Sequence, residues 1–266
     1  MTTFLALVDF SDAAFNAVSF AAEISKRSSA HLVIVNIVQR GKSEDETKIK
    51  LEPIKTDLKK SFDLKCEAFI AHGNLITALK KIIAVQHPDI IVMGTKGASG
   101  LKKVLIGSNT VNVISKIKVP VLVIPEVARF QNFFNRDKNR IVLATDLDLF
   151  ENDDAINILK EIALLIIEPK VRVLSVRPKN TELPNLKRME RDALISIFKP
   201  EIESERVTIF SNSVIGGINF YLTLNKDTGL IVMIARDSGH LFKKHYTREM
   251  ASHTHLPLLV LYDTKI

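Results

Sequence analysis

The chain has 266 residues, 46% of them hydrophobic and 25% charged, with a net charge of +7 from 37 Lys+Arg against 30 Asp+Glu. This is the composition of a folded globular protein, not of a disordered or fibrous one, and the length accommodates one large or two small domains. No apolar run approaches the ~20 residues of a membrane helix, and the basic excess is diffuse, with Lys-Lys pairs at 59–60, 80–81, 102–103 and 243–244 as its densest groups. Such a pattern, without interleaved aromatics, argues against membrane and nucleic-acid partners alike.

In chain order, residues 4–8 read as a first strand that ends in Asp9. The start MTTFLALVDFSD lacks a basic n-region and meets Asp9 too early for a secretory signal, and the one cysteine, Cys66, fits a reducing compartment. A cytoplasmic location is therefore expected. A helix is predicted over 12–27, with Phe15, Val18 and Ala22 on one face and Ser11 as N-cap. Residues 32–38 form the second strand, and 48–61 a charged amphipathic helix with Ile49, Ile54, Leu58 and Phe62 apolar. Residues 65–71 make the third strand and 75–86 the next helix, after which Pro88-Asp89 turns the chain into a fourth strand, 90–93.

That strand ends at Gly94, and the spacing beyond it is Gly94-x2-Gly97-x9-Gly107-Ser108. A helix over 108–116 and a strand over 121–124 follow, opened by Pro120. A glycine-bearing loop that ends in a hydroxyl residue at a helix start suits phosphate. Backbone N–H groups point at the anion, and the helix N-terminus carries partial positive charge. Taken singly, Asp9 and Ser108 could be helix caps, and Gly94 and Gly97 ordinary turn residues.

The pattern then repeats. FLALVD at 4–9 has a counterpart in IVLATD at 141–146, IIVM at 90–93 in LIVM at 230–233, and VPVLVI at 119–124 in LPLLVL at 256–261. The first and last pairs are offset equally and the middle pair by slightly more, so the copies differ in length between their fourth and fifth strands. Near-continuous apolar strands alternating with helices predict α/β architecture, as two tandem doubly wound domains built on parallel sheets. The expected divisions are 1–127 and 139–266, joined by a linker over 128–138. The linker is polar but holds Phe130, Phe133 and Phe134, so it is expected to pack on a domain.

The glycine spacing with Ser108, the strand ending in Asp9 and the strand HLVIVNIV at 31–38 together resemble the universal stress protein family, over 1–127. The resemblance implies five strands per domain in the order 3-2-1-4-5. Ligands of open parallel sheets bind beyond the strand carboxyl ends where the order reverses, which here lies between the first and fourth strands. In ATP-binding family members adenine sits at the ends of the first two strands, which match Leu7, Asp9 and Ile37. Leu7 departs from the proline many members carry there. Met93 and the glycines Gly94, Gly97 and Gly107 match the loop, and Ser108, Asn109 and Thr110 the phosphate contacts. Members that do not bind ATP usually lack these glycines. The implied ligand is ATP, or ADP or AMP, with Mg²⁺ as a companion ion. Lys96, Lys102 and Lys103 are further candidates for screening phosphate.

The second copy does not keep the loop. Ile234 stands at the Gly94 position, Asp237 at that of Gly97, and Lys244-His245 near Gly107-Ser108, so a degenerate domain is expected there. Asp146 survives and reads as a cap. His240, His245, His253 and His255 lack the spacing and the companion ligands of a metal centre, and no metal site is predicted. No nucleophile–base pair can be assigned from spacing, so binding is favoured over catalysis. The rival readings are a tandem protein of this family acting through protein contacts without nucleotide, and a slow ATPase or autophosphorylating protein. In the family the fifth strand commonly pairs across a dimer. The tethered copies are therefore expected to form an intrachain pseudo-dimer, with further homo-oligomers left open.

Overall fold

The structure is a computed structural model and describes residues 1–38, 41, 43–95, 108–133, 136–150, 153–179, 181–236 and 244–263. The chain forms two compact units, Met1–Phe130 and Gln131–Ile266.

In the first unit, β1 (Thr3–Leu7), β2 (His31–Val38), β3 (Cys66–His72), β4 (Ile90–Thr95) and β5 (Val121–Pro125) alternate with α1 (Asp12–Ser28), α2 (Glu44–Phe62), α3 (Leu75–Gln86) and α4 (Ser108–Lys116). The strands are parallel, in the order β3-β2-β1-β4-β5. Phe4 lies opposite Leu32 on one side and Ile90 on the other, and all three are fully buried. Such central strands need helices on both faces, which is why they read as unbroken apolar runs.

The helix ends follow local chemistry. The Ser11 hydroxyl accepts from the Ala14 N–H at 3.2 Å and starts α1, while Ser29 closes it in the left-handed region at φ 54°. Helix α2 begins earlier than its apolar periodicity predicts. Ser43 caps it, and Glu44, Asp45 and Glu46 fill the first turn, where they meet the positive end of the helix dipole. The cap and the acids set this start, ahead of the first apolar residue. Cys66 opens β3 and is buried, and that burial pushes its thiol up to about 11 despite the opposing pull of Lys59 and Lys55.

The exit of the first unit is fastened to α1. Asn16 Nδ2 donates to the carbonyls of Pro125 and Ala128, each at 3.0 Å. The Phe130 ring meets Phe20 edge-on at 6.4 Å between centroids, so this phenylalanine of the expected linker does pack on a domain. A short helix α5 (Phe130–Phe133) and a 3-10 turn (Arg136–Lys138) follow. Phe134 lies outside the described residues.

In the second unit β6 (Arg140–Ala144), β7 (Lys170–Arg177), β8 (Glu203–Phe210), β9 (Thr228–Ala235) and β10 (Leu258–Tyr262) alternate with α6 (Asp153–Leu164), α7 (Asn185–Ile197), α8 (Val214–Leu224) and α9 (Lys244–His253). The order is β8-β7-β6-β9-β10, again parallel. Ladder registers reproduce the sequence repeat: Phe4 opposes Ile90 as Ile141 opposes Leu230, and Ile91 opposes Val121 as Ile231 opposes Leu258. The turn after the first strand is repeated too. Phe10 at φ 65° and Leu147 at φ 69°, each just past the strand-end aspartate of its copy, both take the left-handed conformation.

Candidate functional site

In the first unit the strand order reverses between β1 and β4, and their carboxyl ends frame a crevice. Leu7 closes β1, half-buried, and Asp9 is exposed just beyond it. The left-handed turn at Phe10 lets Asp9 Oδ1 accept from both the N–H and the hydroxyl of Ser11, at 3.0 and 2.6 Å. Asp9 thus orients the residue that caps α1, while its exposed carboxylate lies open to the crevice. Ile37 is half-buried in β2 opposite Ala71. Its neighbour Asn36 is buried and donates to the Val8 carbonyl at 2.6 Å, which pins the end of β2 to the segment leaving β1.

Gly94 lies in β4, opposite Ile124, one residue before the strand ends at Thr95. Its missing side chain has a local cause. A Cβ there would lie 2.2 Å from the Ala13 carbonyl oxygen and 3.0 Å from the Ala14 nitrogen, so the first turn of α1 rests on bare Cα. In the second unit the chain is not yet helical at Phe150, four residues after Asp146, and the corresponding helix, α6, spans Asp153–Leu164, whereas α1 starts three after Asp9. Where the helix begins later, a buried Ile234 fits. The Gly94-to-Ile234 exchange is therefore a packing difference as well as a loop difference.

Met93 is buried in β4. Ser108 and Asn109 are exposed in the first turn of α4, and Thr110 beside them is buried. That turn carries no acidic residue, and Lys116 sits in the last turn, a charge distribution that leaves the helix's positive end available to an anion. The structure brings Leu7, Asp9, Ile37, Met93 and Gly94 to one end of the sheet. Gly97, Gly107, Lys96, Lys102 and Lys103 lie outside the described residues. Among the described residues no cluster of His, Cys, Asp or Glu is arranged to hold a metal.

The same place in the second unit is filled from within. Arg236, the counterpart of Lys96, follows β9, and its guanidinium side chain is 4% exposed. Nη1 donates to Asp146 Oδ1 at 2.6 Å and Nε to Asp263 Oδ2 at 3.1 Å. Nη2 donates to the carbonyls of Asp148 and Leu149 at 3.0 and 3.1 Å. Asp146 and Asp263 expose only 2% and 0% of their side chains. Asp146, read from sequence as a cap, is thus one pole of a buried ion cluster across the strand-order reversal. Sequence reasoning missed Arg236. The signal was there in the repeat, since Lys96 and Glu126 align with Arg236 and Asp263.

Residues 1–125 match the model of the Universal stress protein family. Universal stress protein MJ0577 of Methanocaldococcus jannaschii is 39% identical over 85 residues, which is 32% of this chain and 52% of that protein. The chain therefore spans about half the length of this relative. A universal stress protein from Archaeoglobus fulgidus is similar in structure over 98% of both chains, with a TM-score of 0.76 and 18% identity. A putative universal stress protein from Pseudomonas aeruginosa is similar over 98% of this chain and 93% of its own, with a TM-score of 0.67 and 13% identity. At these identities the structural likeness establishes the fold, through both copies of the repeat.

Proposed function

We propose, from a first unit that carries the universal stress protein family match over residues 1–125, that this unit binds ATP or a related adenine nucleotide, once per chain. On this reading the protein is a cytoplasmic nucleotide-binding module of the stress response. The observation that carries it is the contrast between the two crevices. Asp9 is exposed and oriented by Ser11, while Asp146 is sealed beneath Arg236. Leu7, Asp9, Ile37 and Met93 fall to the base and ribose. Ser108 and Asn109, at the head of α4, fall to the phosphates together with Gly97 and Gly107 of the glycine motif, with Mg²⁺ neutralising the charge. Thr110, being buried, fits a place in the packing of α4 better than a phosphate contact. Asp9, the carboxylate at the crevice, is engaged with Ser11 and falls to the ribose, and binding without turnover is the reading we adopt.

Calorimetry of the full chain with ATP, with and without Mg²⁺, should give one site in the first unit. Gly97→Val should abolish it without changing the far-ultraviolet spectrum, because on this reading the glycine motif lets the backbone come close to sugar and phosphate. Two equivalent sites, or none, would sink the assignment. Mass spectrometry of ligand released from freshly purified protein names the nucleotide, and ADP forming from radiolabelled ATP would establish the slow-ATPase reading instead.

The tandem repeat supports a second proposal, that the fifth strands of the two copies cover one another in an intrachain pseudo-dimer. Each ends its own unit's strand order and is apolar throughout, and such an edge needs a cover. Residues 1–127 expressed alone should then self-associate. A fragment that stays monomeric at high concentration in light scattering would refute this.

A further inference from the structure

The second unit holds a cavity of about 470 Å³ lined by Arg177, Arg188, Arg191 and Arg206, with the Thr208 hydroxyl and a single carboxylate, Glu182. Its walls follow from the fold. Ser175 and Arg177 of β7 stand opposite Thr208 and Phe210 of β8, with Arg206 two residues back along β8, so alternation puts them all on one face of the sheet. Helix α7 packs on these strands, and Arg188 and Arg191, three residues apart, share a helical face. Strands β7 and β8 lie on the far side of β6 from β9, away from the reversal that Arg236 fills.

The arginines are steadied from their flanks. Arg188 Nε donates to the Leu183 carbonyl at 2.9 Å, and Arg191 Nε to Asp192 at 3.0 Å. Arg206 Nη1 lies 3.6 Å from the same Asp192 carboxylate, which is more than half exposed and stands outside the lining. Arg177 Cζ lies over the Phe210 ring at 5.5 Å from its centroid. Its Nε and Nη1 are buried yet meet no hydrogen-bond acceptor among the described residues. A buried donor left without an acceptor is costly, and a bound anion would supply that acceptor. The exposed Arg188 and Arg206 add positive charge at the mouth of a pocket whose lining holds a single acid. Arginine forks match phosphoryl oxygens in pairs, which sets them apart from lysine for this purpose. The excess of positive groups over the single acid calls for a ligand with several negative charges in a compact volume.

We propose that this cavity is a second anion site, distinct from the crevice of the first unit, and that it takes a small molecule bearing two or more phosphoryl groups. The proposal does not rest on the nucleotide reading of the first unit.

The test is calorimetry of the full chain carrying Gly97→Val, titrated with inorganic pyrophosphate and separately with citrate, a carboxylate of comparable charge. Pyrophosphate is expected to bind at one site, more weakly as salt rises, and at least tenfold more tightly than citrate. Arg188→Ala together with Arg206→Ala, both at exposed positions, should weaken it about 100-fold by removing two charge-assisted contacts. Should the double variant fail to fold by circular dichroism, Arg206→Ala alone, on the end strand β8, is expected to weaken binding about tenfold. No pyrophosphate binding, binding unchanged in the folded variant, or citrate binding as tightly as pyrophosphate would each overturn the proposal.

Discussion

Arg236→Met should cost the second unit about 3–5 kcal/mol, the range seen when one member of a buried ion network is removed. Methionine keeps much of the volume, so the loss is electrostatic. Asp146 and Asp263 stay almost wholly out of solvent, and the Asp148 and Leu149 carbonyls lose their donor. Arg236→Lys should recover only part of the stability, since one ammonium cannot reach four acceptors laid out for a planar fork. Urea unfolding gives the magnitude, and hydrogen exchange assigns it to Gln131–Ile266. A loss under about 1 kcal/mol would mean that water reaches the cluster and that the crevice is not sealed.

Gly94→Ala should cost the first unit about 2–4 kcal/mol, from overpacking against backbone. The added Cβ would meet the Ala13 carbonyl oxygen at 2.2 Å, and no rotamer change relieves a clash with main chain. Either α1 lifts from β4 or the strand distorts, and both disturb the turn that carries Asp9 and Ser11. Weaker nucleotide binding in this variant should therefore come with lower stability, whereas Gly97→Val should weaken binding alone. A stability change for Gly94→Ala no larger than that of an ordinary surface substitution would show that α1 shifts freely and that the glycine serves only the loop.

The architecture could be read in advance because its signals are local. Apolar runs of strand length, Ser11 before α1, Pro120 before β5 and the recurrence of the runs in the second half all lie along the chain. The sites were harder because their partners are distant in sequence. Arg236 reaches Asp146 across 90 residues, and nothing near Arg236 announces that pairing. The basic residues looked scattered, and along the chain they are. Parallel pairing of β7 with β8 brings Arg177 beside the strand that holds Arg206, and α7 adds Arg188 and Arg191. Gly94 was read as part of a phosphate-binding loop, and in the structure the group that approaches it is the Ala13 carbonyl.

Cys66, buried at the start of β3, bears on how the molecule can be studied. Its thiol is neutral at ordinary working pH and shielded from reagents, and the chain has no other cysteine. A cysteine introduced at an exposed position therefore takes a maleimide dye well ahead of the native one, with no need to delete Cys66 from the core. Glu52 on α2 and Glu201 before β8 are both exposed, one in each unit. A donor and acceptor fluorophore placed there would turn energy transfer into a ruler between the two copies, read as nucleotide or pyrophosphate is added.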